Sequence, residues 1–124
     1  MTAIRTVAGN ATIVIAKRSS ANSGGTSSAP AIIPHDSNLS AATATVLAYT
    51  ANPTLGTLVG NISVPNVFIG TGSALGGEPL SLIYGDRPAM STVLRGTGEV
   101  LAINLNAATI AGGSFNIRYE WTEE

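Results

Sequence analysis

The chain carries a single histidine, His35, and Asp36 follows it directly. A Ser/His/Asp relay needs the acid to orient the imidazole from behind the base. Neighbouring residues on an extended chain point to opposite sides, so Asp36 is misplaced for that task. No Gly-x-Ser-x-Gly elbow accompanies the pair. Pro34-His35-Asp36-Ser37-Asn38 reads instead as a polar turn entering a strand. Zinc draws on several imidazole or thiolate ligands, and one histidine with no cysteine does not supply them. Asp36, Asp86 and backbone carbonyls would be the material for a calcium cage, but no Asp-x-Asp spacing supports one.

The other candidates fail in the same way. Gly70-Thr71-Gly72-Ser73-Ala74-Leu75-Gly76-Gly77 is superficially a dinucleotide fingerprint, yet position 75 is Leu and no helical period follows Gly77. Glycoside chemistry needs paired carboxylates. Glu78 and Asp86 bracket one short apolar run, without the aromatic platforms of a sugar cleft, since the chain has one Trp and three Tyr. Asn10-Ala11-Thr12, Asn38-Leu39-Ser40 and Asn61-Ile62-Ser63 match glycosylation sequons, which carry meaning only in an exported chain. No catalytic, cofactor-binding or metal-ligating residue is therefore assigned, and the chain is expected not to be an enzyme.

Composition points to a surface made for contact. The 124 residues are 44% hydrophobic and only 10% charged, where an ordinary globular domain is about 25% charged. Ser, Thr, Asn, Gly and Ala keep such a surface polar, and a neutral hydroxyl or amide is far cheaper to bury than an ion. Six basic and seven acidic residues give a net charge of −1, with no basic patch to neutralise a phosphate backbone. Nucleic acid is therefore not an expected partner. The apolar stretches stop well short of the roughly 20 residues of a spanning helix. Met1 to Thr6 lacks a charged region followed by an apolar run. The expectation is a soluble chain with no membrane partner, made and used without export.

Strands are expected throughout. In Phe115-Asn116-Ile117-Arg118-Tyr119-Glu120-Trp121 the odd positions are large and apolar, which places Trp121, Tyr119 and Ile117 on a core face. In Glu99-Val100-Leu101-Ala102-Ile103-Asn104-Leu105-Asn106, the residues Leu101, Ile103 and Leu105 should face inward. Gly96-Thr97-Gly98 joins that run to Ser91–Arg95 as a tight hairpin with a positive-φ position. Leu80–Tyr84 is a short strand ended by the turn Gly85-Asp86-Arg87-Pro88. Ala11–Arg18, Ala44–Thr50 and Leu58–Val64 are further strands. Asn66–Ile69 continues the last of these past Pro65, which marks an edge or a bulge. Close spacing, fourteen glycines and the absence of a helical period imply an all-β, jelly-roll-like β-sandwich of about eight antiparallel strands in a single domain, residues 1–124. Residues 1–8 are expected as a flexible N-terminal arm and residues 19–31 as a long loop.

The segments Gly85–Pro88, Val93-Leu94-Arg95-Gly96-Thr97, Leu101–Asn106 and Phe115–Glu124 together resemble small proteins encoded among the structural genes of tailed phages and prophages. That resemblance implies a virion protein, in particular a jelly-roll capsid decoration or cement protein that has no active site. It implies docking on the outside of an assembled head, contact with the major capsid protein, and assembly as a dimer or trimer. Partner contacts are expected in the N-terminal arm at Met1, Thr2, Ile4 and Arg5. A fibre or receptor-binding head domain and a carbohydrate-binding module are the rival functions.

Overall fold

The computed structural model describes residues 2–4, 9–69, 91–106 and 114–123, and its regular structure is all β, with no helix among the described residues. The strands there are β1 (Thr2–Ile4), β2 (Gly9–Thr12), β3 (Val14–Arg18), β4 (Thr26–Ser28), β5 (Ala48–Ala51), β6 (Leu58–Ser63), β7 (Asn66–Ile69), β8 (Val100–Asn104) and β9 (Ser114–Asn116). They pair as β1-β9, β2-β7, β6-β3-β8 and β4-β5, and every pair is antiparallel. The expected Gly70–Gly77 loop, the Leu80–Tyr84 strand and the turn at Gly85–Pro88 lie outside the described residues. No helix of the described residues is long and apolar enough to cross a membrane.

The chain divides into two compact units, Met1–Ala21 with Thr57–Tyr119 and Asn22–Gly56 with Glu120–Glu124. In the first unit, β2 and β3 form one β-branched run interrupted only at Ile13. There the chain leaves one sheet for another: β2 pairs with β7, whereas β3 pairs with β6 and β8. Pro65 stands between β6 and β7 at the same level, where it has no N–H to give. Its carbonyl accepts the Ile13 N–H at 2.9 Å, so the break in the ladder is closed by a backbone bond. Thr12 Oγ1 secures the neighbouring pair by donating to Asn66 Oδ1 at 2.8 Å.

The core lies at this junction. Ala11, Ile13, Ile15 and Val67 are buried together, and Ile62, Ile103 and Leu105 pack against them. Ile13 is only 1% exposed. Burial of a side chain of this size contributes about 1.5–3 kcal/mol before entropy is subtracted. Ile15 faces Ile103 directly across the β3–β8 ladder. Val14, Ala16 and Arg18, on the opposite face of β3, are also buried, so β3 is covered on both sides.

Leu101 departs from expectation. It stands opposite Lys17, at the far end of the ladder from the isoleucines, and is exposed. Ile103 and Leu105 do face the core. Gly96 has the anticipated positive φ, +65°, but Ser91–Arg95 carries no strand. Those residues are held by side chains instead of a ladder.

In the second unit β4 and β5 form a two-stranded sheet. Ser23 and Thr54 extend it by exchanging N–H···O bonds of 3.0 and 2.8 Å. Gly24 and Gly25 (φ +67° and +71°) lead into β4. The range 19–31, expected as one long loop, thus contains a bridge and a strand. Its serines and threonines are compact enough to pair once the two glycines have turned the chain. The C-terminal run corrects the sequence expectation further: β9 ends at Asn116, and Ile117 to Glu123 carries no strand. Ile117, Tyr119 and Trp121 are exposed rather than core. A period of two defines two faces but does not supply the layer that would cover one of them.

Candidate docking surfaces

The expected arm contacts are only partly described. Thr2 and Ile4 lie in β1, in register with Asn116 and Ser114 of β9, while Met1 and Arg5 lie outside the described residues. Residues 2–4 of the arm are therefore tied into a ladder.

A better-defined feature of the first unit is the turn before β8. Lys17, next to the last residue of β3, donates from Nζ to the Val93 carbonyl at 2.8 Å and pairs with Glu99 Oε2 at 2.9 Å. The same carboxylate oxygen accepts the Arg95 N–H at 2.8 Å. The Lys17 ammonium, followed by that backbone N–H, holds the Glu99 carboxyl below its usual range. Both ends of the turn are thus anchored to a strand buried on two faces, while Val93 and Leu94 stay exposed at 54% and 43%. The sequence segment Val93-Leu94-Arg95 is a fixed apolar tip with a cation beside it. A backbone held in this way suits a contact surface, because less loop freedom is lost on binding.

The second unit presents a different surface. None of its described residues is buried; Ile33, Leu39, Leu47, Leu55 and Trp121 are all exposed, Ile33 by 79%. Between Asn22 and Gly56 there is no Lys, Arg or Glu, and Asp36 is the one carboxylate. Hydrogen bonds therefore supply the order. Asn22 Oδ1 accepts the Gly56 N–H at 2.9 Å. Glu123 accepts four bonds: from the N–H and hydroxyl of Thr43, from the N–H of Ala44 and from the Trp121 indole. Those donors, the indole foremost, bring the Glu123 pKa down to about 2. Scattered exposed leucines are ordinary, but a unit with no buried residue lacks the apolar driving force that normally offsets chain entropy.

His35 and Asp36 form the turn that the sequence indicates. Asp36 Oδ1 accepts the Asn38 N–H at 2.9 Å and its carbonyl accepts the Leu39 N–H at 3.0 Å. His35 Nε2 is 3.9 Å from Glu120 Oε1, with both side chains exposed. Among the described residues, no three of His, Cys, Asp and Glu come together as a metal group. The tip and the uncovered second unit escaped sequence reasoning. The lack of charge between Asn22 and Gly56 was the available signal for the second; the brace at the tip spans residues too far apart in the chain to leave one.

No protein-family model, no curated protein and no solved structure matches the chain.

Proposed function

We propose that this chain is a bacteriophage capsid decoration or cement protein, which acts by docking and not by catalysis. In this reading its strands are parts of a jelly-roll-like β-sandwich of about eight strands. Dimers or trimers sit on the exterior of the assembled head, bridging major capsid protein subunits. The observation that carries the reading is the apolar surface that the second unit leaves open between Asn22 and Gly56, a segment with no Lys, Arg or Glu. Leaving such a surface in water is costly, and docking it requires little desolvation of charge. The likeness of Val93–Thr97 and Leu101–Asn106 to phage structural proteins supplies the kind of partner.

Quantitative mass spectrometry of purified particles tests this. A decoration protein appears in fixed proportion to the major capsid protein, and heads lacking it break at lower temperature. A handful of copies per particle assigns the chain to a tail or fibre instead. Absence from particles overturns the reading altogether.

A further inference from the structure

We infer that the second unit opens independently of the first in the free chain, and becomes fully ordered only against a partner surface that is both apolar and positively charged. A segment that folds needs apolar burial to offset the chain entropy it gives up. The first unit has that burial in the cluster of Ala11, Ile13, Ile15 and Val67. The second has no buried residue among those described. Its regular structure is the two-stranded β4–β5 sheet with the Ser23–Thr54 bridge, and two strands alone are marginal in water. Its order comes largely from hydrogen bonds between exposed groups. Segments of that kind open well below the free energy of global unfolding.

What the unit lacks defines the partner. All six lysines and arginines of the chain belong to the first unit, whereas the second holds Asp36, Glu120, Glu123 and Glu124 with no Lys or Arg. Like charges gathered in one small unit oppose its compaction. Neutral donors hold two of these carboxylates: Asp36 accepts from the Asn38 N–H, and Glu123 from Thr43, Ala44 and Trp121. Such bonds fix the carboxylates without cancelling their charge, which a cation from outside can meet. On either side of Asp36 in sequence, Ile33 and Leu39 are 79% and 63% exposed. A surface carrying Lys or Arg among aliphatic side chains answers both needs in one contact. Three of the four carboxylates lie outside Asn22–Gly56, so that segment still docks with little charge to desolvate. A second copy is a poorer match: of its described cations, Arg18 is buried and Lys17 is paired with Glu99. On the proposed function, on which this choice of partner rests, the cationic surface belongs to the major capsid protein.

The test measures amide exchange in the full chain, free and on purified heads that lack it. Three amides in backbone bonds of similar length give the comparison: Ser23 and Thr54 in the second unit, at 3.0 and 2.8 Å, and Ile13 in the first, at 2.9 Å. In the free chain Ser23 and Thr54 should exchange faster than Ile13 by about a hundredfold or more. Equal rates overturn the inference. On heads, the protection of Ser23 and Thr54 should rise toward that of Ile13. The gain should shrink in about 0.5 M salt, and in Asp36→Asn, which keeps an acceptor for the Asn38 N–H but loses the charge. A chain retained on heads without the gain overturns the inference and leaves the proposed function standing. A gain indifferent to both salt and Asp36→Asn overturns the cationic partner. Protection that rises with protein concentration in the absence of heads gives the surface to a second copy, which overturns it too. A chain that heads do not retain sinks the proposed function and this partner together, and the free-chain rates still decide whether the unit opens alone.

Discussion

The indole N–H of Trp121 donates to the Glu123 carboxylate at 2.9 Å, and the same carboxylate holds Thr43 and Ala44 through their backbone N–H groups. The chain's last residues therefore pin a segment far away in sequence. All four hydrogen bonds favour the ionised form, which brings the pKa from 4.5 to about 2. Since the folded value lies below the unfolded one, the clamp's contribution is complete above about pH 4.5 and is lost as pH falls through about 2. A carboxyl NMR titration of Glu123 should give its midpoint near 2, and Glu123→Gln should speed amide exchange at Thr43 and Ala44. A midpoint at the ordinary carboxylate value would remove the clamp from the account.

Stability of the first unit should depend on Ile13 far more than on any C-terminal aromatic. Ile13 sits where two ladders meet, at 1% exposure, and Ile13→Ala should cost about 2–5 kcal/mol. Trp121 is 41% exposed, so Trp121→Ala should move the urea midpoint far less, although its aromatic run is the most regular pattern in the sequence. Equal losses in the two variants would restore the core face that the alternation at residues 115–121 implies.

That contrast marks how much was legible. The β-branched run at Ala11–Arg18, the resumption of strand after Pro65 and the positive φ near Gly96 were all readable, because each follows from local chemistry: χ1 stiffness, a missing N–H, an absent Cβ. What could not be read was which faces find cover. Leu101 and Ile103 occupy equivalent positions in one alternation, yet only Ile103 stands opposite Ile15. The Lys17–Glu99 brace and the Glu123 clamp join residues about 80 positions apart, beyond any local pattern.

Gly25 should be irreplaceable in the β4–β5 sheet. An added Cβ would lie 2.6 Å from the Ala51 carbonyl oxygen and 3.0 Å from Pro53 N, backbone atoms that cannot swing aside. Its φ of +71° adds about 1–2 kcal/mol of strain for an L-residue. Gly24 shares the dihedral, at +67°, but has open space around it. Gly25→Ala should abolish amide protection across β5, and Gly24→Ala should only weaken it. Indistinguishable exchange in the two variants would mean that Gly25 and Ala51 do not approach in solution.

The Val93–Arg95 tip separates docking from folding most cleanly. Its position depends on Lys17, whose ammonium is shared between the Val93 carbonyl and Glu99, whereas its contact chemistry depends on Val93 and Leu94, which touch solvent. Leu94→Asp should lower the unfolding midpoint far less than Ile13→Ala, because Leu94 is 43% exposed and Ile13 only 1%. It should nevertheless reduce retention on purified heads in a sedimentation assay, since an unpaired carboxylate is then carried into the interface. Lys17→Met should act by the other route, leaving the apolar side chains in place but freeing the turn. Retention then falls through the added cost of ordering, and exchange at the Arg95 amide rises in the free protein. If Leu94→Asp is retained as well as wild type while Lys17→Met is lost, the contact lies elsewhere on β3 or its neighbours. If both are retained, the tip has no part in docking.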